Sequence, residues 1–144
     1  MFSLNVRIGA EMADATFLII VEEDELLLEL SAFRLELLGY RVTRLSTGED
    51  LIRELANREN KPDLVILDTT LPDMDGIELV HRLKSDSRTA NVPVLLLSID
   101  ADLDIVQRAV IAGATDYLVI PFDPTILEQK VESVLEKSRQ LAAI

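Results

Sequence analysis

Five short apolar segments alternate with five helix-patterned segments, and this predicts an α/β fold with a parallel sheet covered by helices on both faces. Two further observations agree. The runs Leu64–Leu67 and Val92–Leu97 are continuously apolar, as strands buried on both faces are. The chain is 49% hydrophobic but only 4% aromatic with no Trp, so its core must be aliphatic. At 144 residues one domain is expected, without internal repeats.

In chain order, Phe2, Leu4, Val6 and Ile8 alternate, which suits either a short extra strand or, the reading taken here, a loosely held or disordered N-terminal arm over 1–14 before a domain over 15–141. Thr16–Val21 is the first firm strand and runs into four consecutive acids, Glu22–Glu25. A helix over about 25–38 shows Leu26, Leu30, Phe33 and Leu37 at helical spacing and ends at Gly39. Tyr40–Leu45 reads as a short strand. Ser46–Glu49 reads as a capping box opening a helix to about residue 58, and Asn60-Lys61-Pro62 breaks the chain after it.

The central strand, 64–67, ends at Asp68, with Pro72 and Gly76 in the loop beyond. Asp75 and Glu78 cap a helix over about 76–84. The strand 92–97 ends at Ser98, and a helix over 102–112 closes at Gly113. The fifth strand, 116–120, is followed by Pro121-Phe122. Asp123-Pro124 starts the last helix, to about 140, with Ile126, Leu127, Val131, Val134 and Leu135 facing in. Sheet order 2-1-3-4-5, a flavodoxin-like doubly wound arrangement, brings the ends of the first and third strands together at the switch point. Glu22 and Glu23 are therefore expected to meet Asp68.

Composition excludes several classes of function. A formal net charge of −12, with 26 acidic and 14 basic residues, argues against direct nucleic-acid binding and suits a cation or a basic protein partner. Without Cys there is neither disulfide nor thiolate chemistry, in keeping with a cytoplasmic location. No apolar run approaches a membrane span, and no signal peptide is read. The lone His81 falls in a helix and reads as a surface residue.

Carboxylates crowded at one rim must protonate, disperse or bind a cation. Mg²⁺ suits such a site, and beside a carboxylate nucleophile it would offset the charge of an incoming phosphoryl group, with Ser98 close enough to hydrogen-bond it. Against this stands the plainer reading, in which Asp68 caps a loop and Ser98 caps a helix. Spacing alone leaves both open.

The segments Leu18–Asp24, Leu64–Asp68, Leu71-Pro72-Asp73-Met74-Asp75-Gly76, Pro93–Ser98, Ala112-Gly113-Ala114 and Pro121-Phe122, in this order, resemble the receiver domain of two-component response regulators (CheY-like). The resemblance spans about residues 15–140. It implies that Asp68 takes a phosphoryl group from a histidine kinase or phosphotransfer protein. It also implies that Glu22, Glu23, Asp68 and the carbonyl of Thr70 hold Mg²⁺, that Ser98 contacts the phosphoryl group and that Tyr117 is the switching aromatic. The output is then through a downstream protein partner or a further C-terminal region, the chain being a signalling receiver rather than an enzyme. A homodimer through the face of the fourth helix, fifth strand and fifth helix is implied as well, with Ile105, Val106, Ala109 and Tyr117 as candidates that serve equally as core. The family's peptide bond before Pro121 tends to be cis.

Two residues depart from the family pattern. Ile120 stands where the family has a Lys that pairs with the phosphoacceptor and then with the phosphoryl group. Glu23 stands where the second acid is usually Asp, and one extra methylene moves its carboxylate by about 1.5 Å, weakening a Mg²⁺ site. The leading reading is a phosphoacceptor receiver. The alternative is a degenerate receiver acting as a phosphorylation-independent docking or dimerisation module. A small phosphohydrolase of the haloacid-dehalogenase kind would need an acid at Thr70 and a capping insert.

Overall fold

Side chains alternate between the two faces of a strand, so a strand that is apolar throughout needs cover on both sides. The computed structural model, which describes residues 15–57, 59 and 61–143, supplies that cover. The arm expected over residues 1–14 lies outside the described residues.

The elements alternate: β1 (Phe17–Val21), α1 (Glu25–Leu37), β2 (Arg41–Leu45), α2 (Gly48–Ala56), β3 (Leu64–Asp68), α3 (Gly76–Ser85), β4 (Val94–Ser98), α4 (Leu103–Ala112), β5 (Asp116–Val119) and α5 (Pro124–Ala143). All strand pairs are parallel and the sheet order is β2-β1-β3-β4-β5, as the flavodoxin-like reading requires. Phe17, Ile19, Val21, Val65, Leu67, Val94 and Leu96 pack with buried residues of α2, α3 and α4. The alternate set, Leu18, Ile20, Leu64, Ile66, Leu95 and Leu97, packs with α1 and α5. Among the described residues no helix is long and apolar enough to cross a membrane.

The stripe on α1 turns out to face solvent. Leu26, Leu30, Phe33 and Leu37 are 54–70% exposed, whereas Leu28, Ser31, Ala32 and Leu35 are buried. The helix is apolar on two opposite sides, and its inward side is the one with small residues, Ser31 and Ala32, which let it lie close to the sheet. At 100° per residue the exposed stripe lies about 180° from the buried one.

Two smaller expectations shift, and the docking-face candidates fall largely in the core, as they equally could. The cap of α2 is Thr47, whose Oγ1 accepts from Asp50 N at 3.0 Å, one residue later than the expected box. Ile126 is 39% exposed, while Leu127, Val131, Val134 and Leu135 are buried. Of the candidates for a docking face on α4 and β5, Ala109 is core, and Ile105 and Tyr117 pack against it. The Ile120–Pro121 bond is cis, as the resemblance implies.

The orientation of α1 sets a contrast. Leu35→Ala should cost about 2–5 kcal/mol in urea unfolding, as buried leucines do. Leu30→Ala should stay within about 0.5 kcal/mol, as surface changes do. A loss at Leu30 as large as at Leu35 would put the stripe in the core.

Candidate functional site

The pairing of β1 with β3 builds the site. Val21 lies opposite Leu67, so the next residues, Glu22 and Asp68, leave the sheet side by side at its carboxyl edge. This is the switch point, since the chain winds from β1 out to β2 on one side and crosses back to β3 on the other. Glu22 is held from both sides. Its N–H donates to the Leu45 carbonyl at 3.0 Å, and its Oε2 accepts from Asp24 N at 2.9 Å.

Glu22 is only 3% exposed, and its Oε1 is buried without a hydrogen-bond partner. Burial pushes its carboxyl up to about 8. The Asp68 carboxyl beside it and the charge of Asp24 act in the same direction, while the Asp24 N–H opposes them. Two carboxylates offer no donor between them. With its carboxyl pushed up to about 8, Glu22 keeps its proton near neutral pH.

Asp68 is half-buried, and its Oδ1 accepts from Thr70 N at 2.7 Å. The loop then folds back tightly. Thr69 N donates to Leu97 O at 2.8 Å and Gly76 N to Thr69 O at 2.8 Å. A Cβ at Gly76 would fall 2.1 Å from the Asp68 carbonyl oxygen, so no side chain fits there. Thr70 forms an antiparallel bridge with Asp75, the cap of α3.

On the other side of Asp68, β4 ends at Ser98, which is buried. Its Oγ accepts from Asp100 N at 3.1 Å, and its carbonyl accepts from Ile120 N at 2.7 Å. The Tyr117 hydroxyl donates to the Asp100 carbonyl. Asp100 thus joins Ser98 to Tyr117 through its own backbone, a junction that sequence reasoning missed. Ile120 packs its apolar side chain against the α1 and α5 side of the core.

The structure therefore brings Glu22, Asp68 and Thr70 together and sets Ser98 on the neighbouring strand. Glu23 is exposed, and Asp24 serves as the cap of α1, accepting from Leu27 N at 3.0 Å. No group of three or more acids, His or Cys able to hold a metal is found among the described residues. The orphaned, buried Glu22 Oε1, on the carboxylate beside Asp68, fits a cation that these two carboxylates would hold.

A doubly wound sheet with a carboxylate pair at its switch point and a buried hydroxyl on the next strand defines a CheY-like receiver. The chain belongs to the response regulator receiver domain family, which it matches over residues 18–132. It is 36% identical over 126 residues to the transcriptional regulatory protein CseB of Streptomyces coelicolor, covering 88% of this chain and 52% of CseB. It is 32% identical over 121 residues to the phosphate regulon regulatory protein PhoB of Pseudomonas aeruginosa, covering 84% and 52%. The chain thus spans about half the length of these curated relatives.

Among solved structures, a CheY-like receiver domain protein from Methanospirillum hungatei superposes with a TM-score of 0.80 at 25% identity, covering 88% of this chain and 98% of that one. The BeF3-activated receiver domain of DrrB gives a TM-score of 0.74 at 32% identity, covering 85% and 98%. DrrB is described as an OmpR/PhoB homologue of Thermotoga maritima.

The raised carboxyl of Glu22 makes stability depend on pH. Glu22 binds a proton in the fold at pH values where the unfolded chain, with its carboxyl near 4.5, has released it. Its contribution is therefore fully present below pH 4.5 and is lost as pH rises through about 8. Thermal melts should show that Glu22→Gln, which cannot ionise, lessens the decline in Tm between those limits. An unchanged pH profile in the variant would place the proton elsewhere.

Proposed function

We propose that this domain receives a phosphoryl group on Asp68 from a histidine kinase or phosphotransfer protein and signals through protein partners. The observation that carries the reading is the pairing of buried Glu22 with Asp68 at the β1–β3 switch point. In the transfer, an Asp68 carboxylate oxygen attacks phosphorus, an acyl phosphate bond forms, and the donor's N–P bond breaks with the electron pair returning to imidazole.

Glu22, Asp68 and the Thr70 carbonyl would hold Mg²⁺, which supplies positive charge to the phosphoryl oxygens. Glu23 joins them only by turning in from its exposed position, so affinity should be low. Ser98 presents its hydroxyl proton to a phosphoryl oxygen, since its Oγ already accepts from Asp100. Because Asp100 also holds Tyr117, a shift of Ser98 reaches the aromatic through one residue. Ile120 offers no charge, so compensation within the site rests on the proton or cation at Glu22. The domain works in the cytoplasm, and its acidity leaves nucleic-acid contact to other chains or regions.

A second observation favours a docking face. The exposed stripe on α1 is flanked on one side by Glu25, Glu29 and Glu36, the last two bridged by Arg44. Such a face fits an apolar helix with basic residues along one edge, presented by the phosphodonor protein. The homodimer face on α4, β5 and α5 retains exposed Leu103 and Val110, and Val119 at its edge.

Intact mass after incubation with Mg²⁺ and acetyl phosphate tests the acceptor. One added phosphoryl group on the parent and none on Asp68→Asn is the expected result. No addition to the parent would leave the phosphorylation-independent docking module, and addition to both would move the acceptor off Asp68.

The docking face is tested with Leu30→Glu. Labelling by acetyl phosphate should be unchanged, while transfer from a phosphorylated histidine kinase that labels the parent should slow at least about tenfold, the equivalent of about 1.4 kcal/mol. Equal loss with both donors would mean that the variant harms the site itself.

A further inference from the structure

The loop between β3 and α3 leaves the site and grips a helix that takes no part in it. Asp73, at the loop's outer end, accepts two backbone N–H groups at the start of α2, Gly48 N on Oδ1 at 2.9 Å and Glu49 N on Oδ2 at 3.0 Å. Thr47 caps the next one, Asp50 N. These contacts join residues 24 and 25 apart in the chain. Each is a charge-assisted bond made where the helix dipole favours an anion.

Met74 adds contact at the same point. A Cβ at Gly48 would lie 2.4 Å from the Met74 sulfur, so the Met74 side chain rests directly on the helix start. The helix beneath is fixed, since Leu51 and Leu55 are buried in the core.

The inner half of the same loop carries the site. Leu71 N donates to Met74 O at 3.3 Å, Thr70 bridges Asp75, and Thr70 N donates to Asp68 Oδ1 at 2.7 Å. The loop is thus tied at its base by Asp68 and at its tip by α2, with Thr70 between the two ties. Among the described residues, Asp73 hydrogen-bonds neither Asp68 nor Glu22.

We propose that Asp73 is a positioning residue, which by clamping the loop onto the N-terminus of α2 sets the Thr70 backbone against Asp68. The proposal rests on the phosphoacceptor reading only where the Thr70 carbonyl is given to the cation. The placing of Thr70 stands without it.

The experiment compares amide hydrogen exchange of Thr70 in the parent, Asp73→Ala and Thr47→Ala, and then apparent Mg²⁺ affinity by NMR titration of the same proteins. Thr47→Ala also strips a bond from the start of α2 but leaves the loop untouched, so it isolates any general weakening of the helix. Exchange at Thr70 should rise at least about tenfold in Asp73→Ala and little in Thr47→Ala, because a local opening has been made easier. Mg²⁺ affinity should fall several-fold in Asp73→Ala alone.

Equal Thr70 exchange in all three proteins, or an equal rise in both variants, would overturn the proposal. A parent that binds Mg²⁺ with the same affinity as Asp73→Ala, while exchange responds as expected, would remove the Thr70 carbonyl from the cation site and leave the positioning role standing. If the parent binds no Mg²⁺ while exchange responds as expected, the positioning role stands and the cation in the proposed function falls.

Discussion

The alignment of β1 with β3 is the constraint on which the rest depends. Val21 pairs with Leu67, and whatever follows those residues must emerge side by side. Both strands are buried on both faces in a close-packed aliphatic core, so neither can slide or tilt to separate their ends. Glu22 is then pinned from outside by the Leu45 carbonyl and the Asp24 amide. A carboxylate in such a place cannot relieve repulsion by moving. It must take up a proton or a cation, and the orphaned Oε1 is where either would be bound.

Ile120 sharpens that constraint. Its backbone is well placed, with its N–H donated to Ser98, but its side chain serves the core rather than the site. In a receiver of this family a Lys at this position is expected to carry permanent positive charge to the acid pair. Here the compensating charge must come and go with pH or with metal. On the proposed reading, proton and cation compete for the same carboxyl, and phosphoryl uptake becomes sensitive to both. On the proposed reading, the route from Ser98 to Tyr117 through Asp100 bypasses residue 120.

Much of this was readable in the chain. Alternation and right-handed βαβ crossovers point to a doubly wound parallel sheet, and the order 2-1-3-4-5 that brings residue 22 to residue 68 comes from the likeness to the flavodoxin-like arrangement. Which of four consecutive acids turns inward does not follow from composition. It depends on where the strand stops and the helix starts. Asp24 takes the cap of α1, which leaves Glu22 buried and Glu23 in solvent. The inward side of α1 was hidden for a different reason. With leucines around most of the helix, periodicity finds two stripes and cannot rank them, and the small residues Ser31 and Ala32 decide by allowing close approach. The clamp by Asp73 was invisible because hydrogen bonds across 24 or 25 residues leave no local signature.

Asp24 links the two halves of the proposed function. Its side chain accepts from Leu27 N to start α1, and its own N–H donates to Glu22 Oε2. The helix whose outer stripe is open to a partner therefore begins at the residue that holds the buried acid. A partner helix seated on Leu26 and Leu30 would press on the first turn of α1, next to that cap. Any change in the cap alters the donor opposing the rise in the Glu22 carboxyl, since the Asp24 N–H is what favours its charged form. On the proposed reading, a partner docked on α1 would reach Glu22, beside Asp68, through one backbone amide.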